Sequence, residues 1–128
     1  MLLTFELDFL PIDVSSVGAT VRMRERIRTA IASQNEAVTW NHPVTVEIDA
    51  WHVRPFDLDN VAKQILDALT APLAQGDQSA HIAHAPLPDD DIRYVSAVYV
   101  RGALAARTRI KVRVAPTHSE ETLREPEA

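Results

Sequence analysis

Cysteine is absent from the sequence, which excludes disulfide scaffolds, thiolate-held zinc and cysteine nucleophiles together. Glycine is scarce at three residues, and no Gly-rich segment able to cradle a phosphate occurs. No apolar run is long enough to cross a bilayer. The start, Met1-Leu2-Leu3-Thr4-Phe5-Glu6-Leu7-Asp8, carries acids where a secretory leader carries cations. These absences point to a soluble, cytoplasmic protein with no membrane partner. A surplus of positive charge is missing too: 13 Lys and Arg stand against 18 Asp and Glu, a net charge of −5. At face value that argues against a polyanionic partner.

What is there is one domain's length of chain, 128 residues, with its charges unevenly spread. The segment from Ala115 to Ala128 holds Glu120, Glu121, Glu125 and Glu127 against Arg124 alone. It reads as an acidic, disordered tail behind a folded domain of residues 1–114. Of the remaining acids, five fall in two short clusters, Asp57/Asp59 and Asp89-Asp90-Asp91. Outside the tail and those clusters the chain is slightly basic. Its cations form two groups, Arg22/Arg24/Arg26/Arg28 and Arg107/Arg109/Lys111/Arg113.

The apolar periodicity gives an element order. Leu3, Phe5 and Leu7 alternate with polar residues as in a half-buried strand. From Gly18 to about Ser33 an apolar stripe of helical spacing lies beside the first arginine group. Val44, Val46, Ile48 and Ala50 form a second strand, stopped by Arg54-Pro55. Leu58, Val61, Ile65, Leu66 and Leu69 predict a helix of about three turns. A loop runs from Pro72 to Pro88, then strands are expected over Ile92–Arg101 and Arg107–Val114, separated by Gly102. The order β-α-β-α-β-β implies an α+β domain with a mixed sheet of about four strands and two helices.

The chemistry concentrates in Asp57-Leu58-Asp59-Asn60-Val61-Ala62-Lys63 at a strand-to-helix junction. One carboxylate there can cap the helix while another points away. Asp59, Lys63 and Asp67 recur every four residues and share a helix face. Asp89-Asp90-Asp91 precedes a strand and can supply an acid from across the sheet. Clustered carboxylates suit Mg²⁺, a hard ion that keeps waters which phosphate oxygens can replace. Such an ion activates water and neutralises charge in phosphodiester hydrolysis, and a nearby ammonium stabilises the same charge. The same residues also admit a plain structural account: an N-cap, a surface Asp59–Lys63 pair and a solvated acidic turn.

Asp57-Leu58-Asp59-Asn60, then Lys63, then Asp67-Ala68-Leu69, then an acidic pair before a strand, resembles the RusA family of Holliday-junction resolvases. The similarity is best from about Val44 to Arg101, and the element order agrees. It implies a RusA-like fold and a homodimeric, Mg²⁺-dependent endonuclease, with Mn²⁺ as substitute and no organic cofactor. Such enzymes resolve four-way DNA junctions by paired nicks, often in a bacterial, phage or prophage setting. Carried over, Asp57, Asp59 and Asp91 are the metal-binding carboxylates, Asp90 their neighbour and Lys63 the catalytic cation. Asp89 leaves that register ambiguous by one. Asn60 and Asp67 match in supporting roles.

The sequence departs from the family in three places, one of them the Pro72–Pro88 loop, which is longer than the family leads one to expect. The short stretch Leu10–Val17 has no cation where relatives carry a longer basic segment, and the approach to the Asp pair offers only His52 and Arg54. Candidate DNA contacts are Arg54, Arg107, Arg109, Lys111 and Arg113, although the strand cations equally suit a solvated face or a charge-protected edge. Two other functions fit the pattern: a RusA-like module that binds DNA or protein without cleaving, or a hydrolase of another branched or single-stranded nucleic acid. His81 and His84 read as loop residues. Trp40 and Trp51 suit packing or base stacking.

Overall fold

The computed structural model describes residues 2–12, 17–36, 40, 42–70, 87, 93–118 and 123–126. The elements follow in the order β1 (Leu3–Leu7), α1 (Val17–Gln34), β2 (Val44–His52), α2 (Leu58–Leu69), β3 (Val95–Leu104) and β4 (Arg109–Pro116). They form an α+β domain on a mixed four-stranded sheet ordered β1-β4-β2-β3. β4 runs antiparallel to both its neighbours, whereas β2 and β3 are parallel and joined through α2. That parallel pair needs a crossover, and α2 is it.

Alternation puts one face of the sheet inside. Leu3, Phe5 and Leu7 of β1 align with Val114, Val112 and Ile110 of β4, which align in turn with Val46, Ile48 and Ala50 of β2. All nine side chains are buried. The helices cover that face. Met23, Ile27 and Ile31 of α1 repeat every four residues and are buried together, as are Val61, Ile65, Ala68 and Leu69 of α2. Trp40 is 2% exposed and belongs to this core, not to a stacking surface. No helix of the described residues is long and apolar enough to cross a membrane.

The last two strands are shifted from the expected positions. β3 starts at Val95 rather than Ile92, because Arg93 and Tyr94 form a turn that brings Tyr94 O onto Val44 N–H at 2.8 Å. It then continues through Gly102, since its ladder with β2 extends to the His52–Leu104 pair. β4 starts at Arg109, so Arg107 and Thr108 stay in the turn before it. The ladder also runs past residue 114: Val44 pairs with Pro116, Ala115 is buried, and Thr117 N–H donates to Pro43 O at 3.2 Å.

Candidate active site

Pro55 stops the backbone pairing of β2, and the chain turns into α2 through Asp57. Asp57 is extended (φ −91°, ψ 115°) and its side chain caps the helix, with Oδ1 accepting from Asp59 N–H at 3.0 Å. Its carbonyl accepts the first helical bond from Val61 N–H at 3.3 Å. One carboxylate oxygen is thus committed to the fold, and the other has no partner among the described residues. Asp59 lies exposed in the first turn, where the positive end of the helix favours a negative charge. Lys63 stands one turn further along, exposed, and forms no ion pair with Asp59 or any other described residue. The surface-pair account of Asp59 and Lys63 is therefore not what is observed. Asn60 and Asp67 are half-buried. Asp67 is eight residues from Asp59, about 12 Å along the axis, too far to share an ion with it.

This helix start is seated on β3. A Cβ at Gly102 would lie 2.7 Å from Leu58 Cδ2 and 2.9 Å from Phe56 Cζ, so the two residues flanking Asp57 rest where a side chain would be. Gly102→Val should destabilise the protein by about 1–3 kcal/mol through overpacking, and Gly102→Ala by less, because only side-chain tips need to move. Urea unfolding of both variants measures this; a silent Gly102→Val would mean that Phe56 and Leu58 do not anchor there. His52 adds a second fixing point. Its Nδ1 lies 2.6 Å from Thr108 Oγ1, and its ring meets Phe56 edge-on at 5.9 Å between centroids.

Asp89, Asp90 and Asp91 lie outside the described residues. The strand that follows them begins beside Val44, whereas Asp57 follows the other end of β2, eight residue steps or about 26 Å away. Among the described residues no three His, Asp or Glu side chains come together to hold a metal ion. Asp57 and Asp59 supply two hard oxygen donors at an exposed position. That set fits Mg²⁺, which is commonly held by one or two carboxylates with the rest of its shell left to water and phosphate.

The basic strand has a different setting from the one its sequence suggested. β4 is an inner strand, so its cations protect no edge. They project from the face opposite the helices, between acids on both neighbouring strands. Arg109 forms a two-pronged pair with Glu6 (2.8 and 3.3 Å), and Arg113 Nη1 lies 3.7 Å from Glu47. On β3, Arg101 grips Asp49 in the same forked way (2.9 and 3.0 Å). The Arg109 hydrogen bonds, with its charge and that of Lys111, hold the Glu6 carboxyl below its usual 4.5. Lys111, exposed on the same face, forms no ion pair among the described residues, and further positive charge without a partner stands at one end of the sheet. Arg54 after β2 and Arg107 before β4 are exposed at the sheet end that carries Asp57, and neither forms an ion pair among the described residues.

The first arginine group also divides. Arg22 and Arg26 are exposed, the latter 3.6 Å above the Phe9 ring. Arg24 and Arg28 are buried at 6% and 0%. Arg28 Nε donates to Ala68 O at 3.0 Å and its Nη2 donates to Thr70 O, so it closes the C-terminal end of α2 from the neighbouring helix. Sequence reasoning missed this role; the spacing of four from Arg24, in line with the apolar stripe, was the available signal. In comparisons with known proteins, the chain matches no protein-family model and no curated sequence, so the head of α2 is interpreted from its own chemistry.

Proposed function

We propose that the chain is a RusA-like, Mg²⁺-dependent endonuclease that cuts four-way DNA junctions as a homodimer. The observation that carries this reading is the head of α2: two exposed carboxylates, Asp57 and Asp59, with Lys63 unpaired one turn away. Asp57 and Asp59 hold the metal in this reading and Lys63 faces the scissile phosphate. Asp90 and Asp91 precede the strand end that lies about 26 Å from Asp57 along the sheet, so a role for them requires the chain before β3 to reach back to the head of α2 or a second copy to supply them. A bound ion supplies a water of lowered pKa and neutralises charge on the phosphate. The protein's part is to fix the two carboxylates on a rigid helix start and to hold an ammonium within the same turn. Arg54 and Arg107 at that end of the sheet offer two more charges for backbone phosphates.

The test is cleavage of a mobile four-way junction with Mg²⁺ or Mn²⁺, beside nicked, flap and single-stranded substrates. Paired nicks in the junction are expected. Preference for a flap or a single strand would reassign the substrate, and no metal-dependent nicking of any of them would reject the nuclease reading.

A second reading has its own observation. Arg101, Arg109 and Arg113 are neutralised by acids of their own sheet, which leaves little free positive surface for DNA. A RusA-like module that binds a junction or a protein without cutting would show saturable binding and no turnover in the same assay.

A further inference from the structure

The two edges of the sheet are finished differently. The β1 edge is short and covered by the end of α1. Gln34 brackets the outward groups of Glu6, accepting from its N–H at 2.8 Å and donating to its C=O at 2.9 Å, and Asn35 Nδ2 donates to Thr4 O at 2.7 Å. The β3 edge has ten residues, Val95–Leu104, and no such cover among the described residues. It contains no proline or lysine. Its single charge, Arg101, is already neutralised by Asp49. Tyr99 is 52% exposed and Leu104 66%. A long, uncharged, unprotected edge is what proteins normally avoid, because it pairs with other strands.

Which backbone groups face outward follows from two bonds. Val44 N–H donates to Tyr94 O, and Ala105 N–H donates to His52 O, so the even-numbered residues of β2 turn towards β3. Their Cα partners on β3, Val98, Val100, Gly102 and Leu104, turn their own N–H and C=O to the outside. The regular part of the ladder, after the bulge at Val44/Thr45, runs from Ala97 to Leu104 and is centred next to Val100.

We infer that β3 is the surface on which a second copy of this chain docks, antiparallel, about a two-fold axis at Val100. An isologous contact requires the same strand to complement itself, and this one does. With Val100 opposite Val100, Tyr99 of each copy lies across from Arg101 of the other on the open face, an aromatic–guanidinium pair instead of a like-charge clash. On the helix side Val98 lies across from Gly102, a bulky residue against a bare one. The result is one eight-stranded sheet with all four helices on the same face. Gly102, which seats the head of α2, is two residues from the axis, so the two seats stand about 13 Å apart along the strand direction. The inference deepens the homodimeric nuclease reading by naming its interface, but oligomeric state is measured independently of any cleavage.

The absence of cysteine makes a direct test available. In the full-length chain, Val100→Cys should form a symmetric disulfide dimer on mild oxidation, since directly opposed residues that exchange both hydrogen bonds lie about 5.5 Å apart at Cα. Leu104→Cys, although more exposed, should not, because its two copies would be about 26 Å apart. Sedimentation of the wild type should give twice the 14.2 kDa chain mass. Val100→Pro removes an outward N–H and leaves the β2 ladder intact, and Val98→Lys places charge at the edge. Each should weaken self-association at least about 100-fold with circular dichroism unchanged. A monomeric wild type would overturn the inference. So would a dimer indifferent to both variants, or one cross-linking better through Leu104→Cys than through Val100→Cys.

Discussion

Replacing Arg28 by alanine should destabilise the fold by about 3–5 kcal/mol, a large share of the 5–15 kcal/mol that holds a domain of this size together. The guanidinium is fully buried and donates to the carbonyls of Ala68 and Thr70. Those oxygens end α2, whose own last turn contains no basic residue. A cation from α1 supplies the charge that the negative end of the helix favours. Alanine would leave buried carbonyls without donors and open a cavity the size of the side chain. Arg28→Met separates the two effects, since it fills most of the volume and donates nothing; a loss of about 2–3 kcal/mol is expected for it. Urea unfolding followed by circular dichroism reads both. A loss under about 1 kcal/mol for Arg28→Ala would show that the carbonyls find water instead.

The same arginine marks where the sequence stops being readable. The strict alternation in β1 and at Ile110, Val112 and Val114 predicts a buried and an open face, and the structure has both. The head of α2 was also legible, because Pro55 ends a strand and an Asp followed by a helical apolar pattern is an N-cap signature. What was hidden depends on partners far away in the chain. Whether Arg28 is a surface cation or a core donor is settled by α2, forty residues on. Whether Arg109 and Arg113 are free or neutralised is settled by Glu6 and Glu47, which become neighbours only when β4 inserts between β1 and β2. Gly102 reads locally as a strand end, yet it lies inside β3 because Phe56 and Leu58 occupy the space a side chain would take. Local periodicity determines which way a residue points along its own element; register and layer order decide what it meets.

At the candidate site, Asp57→Asn should abolish metal-dependent cleavage, at least about 100-fold, while leaving stability within about 0.5 kcal/mol of wild type. The contrast with alanine is what gives the experiment its force. Asp57 has two jobs in this geometry: its Oδ1 caps α2 through Asp59 N–H, and its charge contributes to the proposed metal site. Asparagine caps a helix about as well as aspartate, so the first job survives and the second is lost. Alanine loses both and should cost about 1 kcal/mol of stability as well. If Asp57 were only a cap, Asn would cleave like wild type and Ala would be the impaired variant. Asp59→Asn has no capping bond to preserve and gives up only the favourable charge at the helix start, so it should lose cleavage at a stability cost of no more than about 1 kcal/mol. Lys63→Met should reduce turnover without weakening metal binding, because its ammonium stabilises charge on the phosphate and touches no ion. Mn²⁺ titration at fixed junction concentration separates these outcomes. The aspartate variants should need far more metal or never saturate, and the lysine variant should saturate normally at a lower rate. Should Asp57→Asn match wild type in both rate and metal demand, the head of α2 would be a well-capped helix and nothing more.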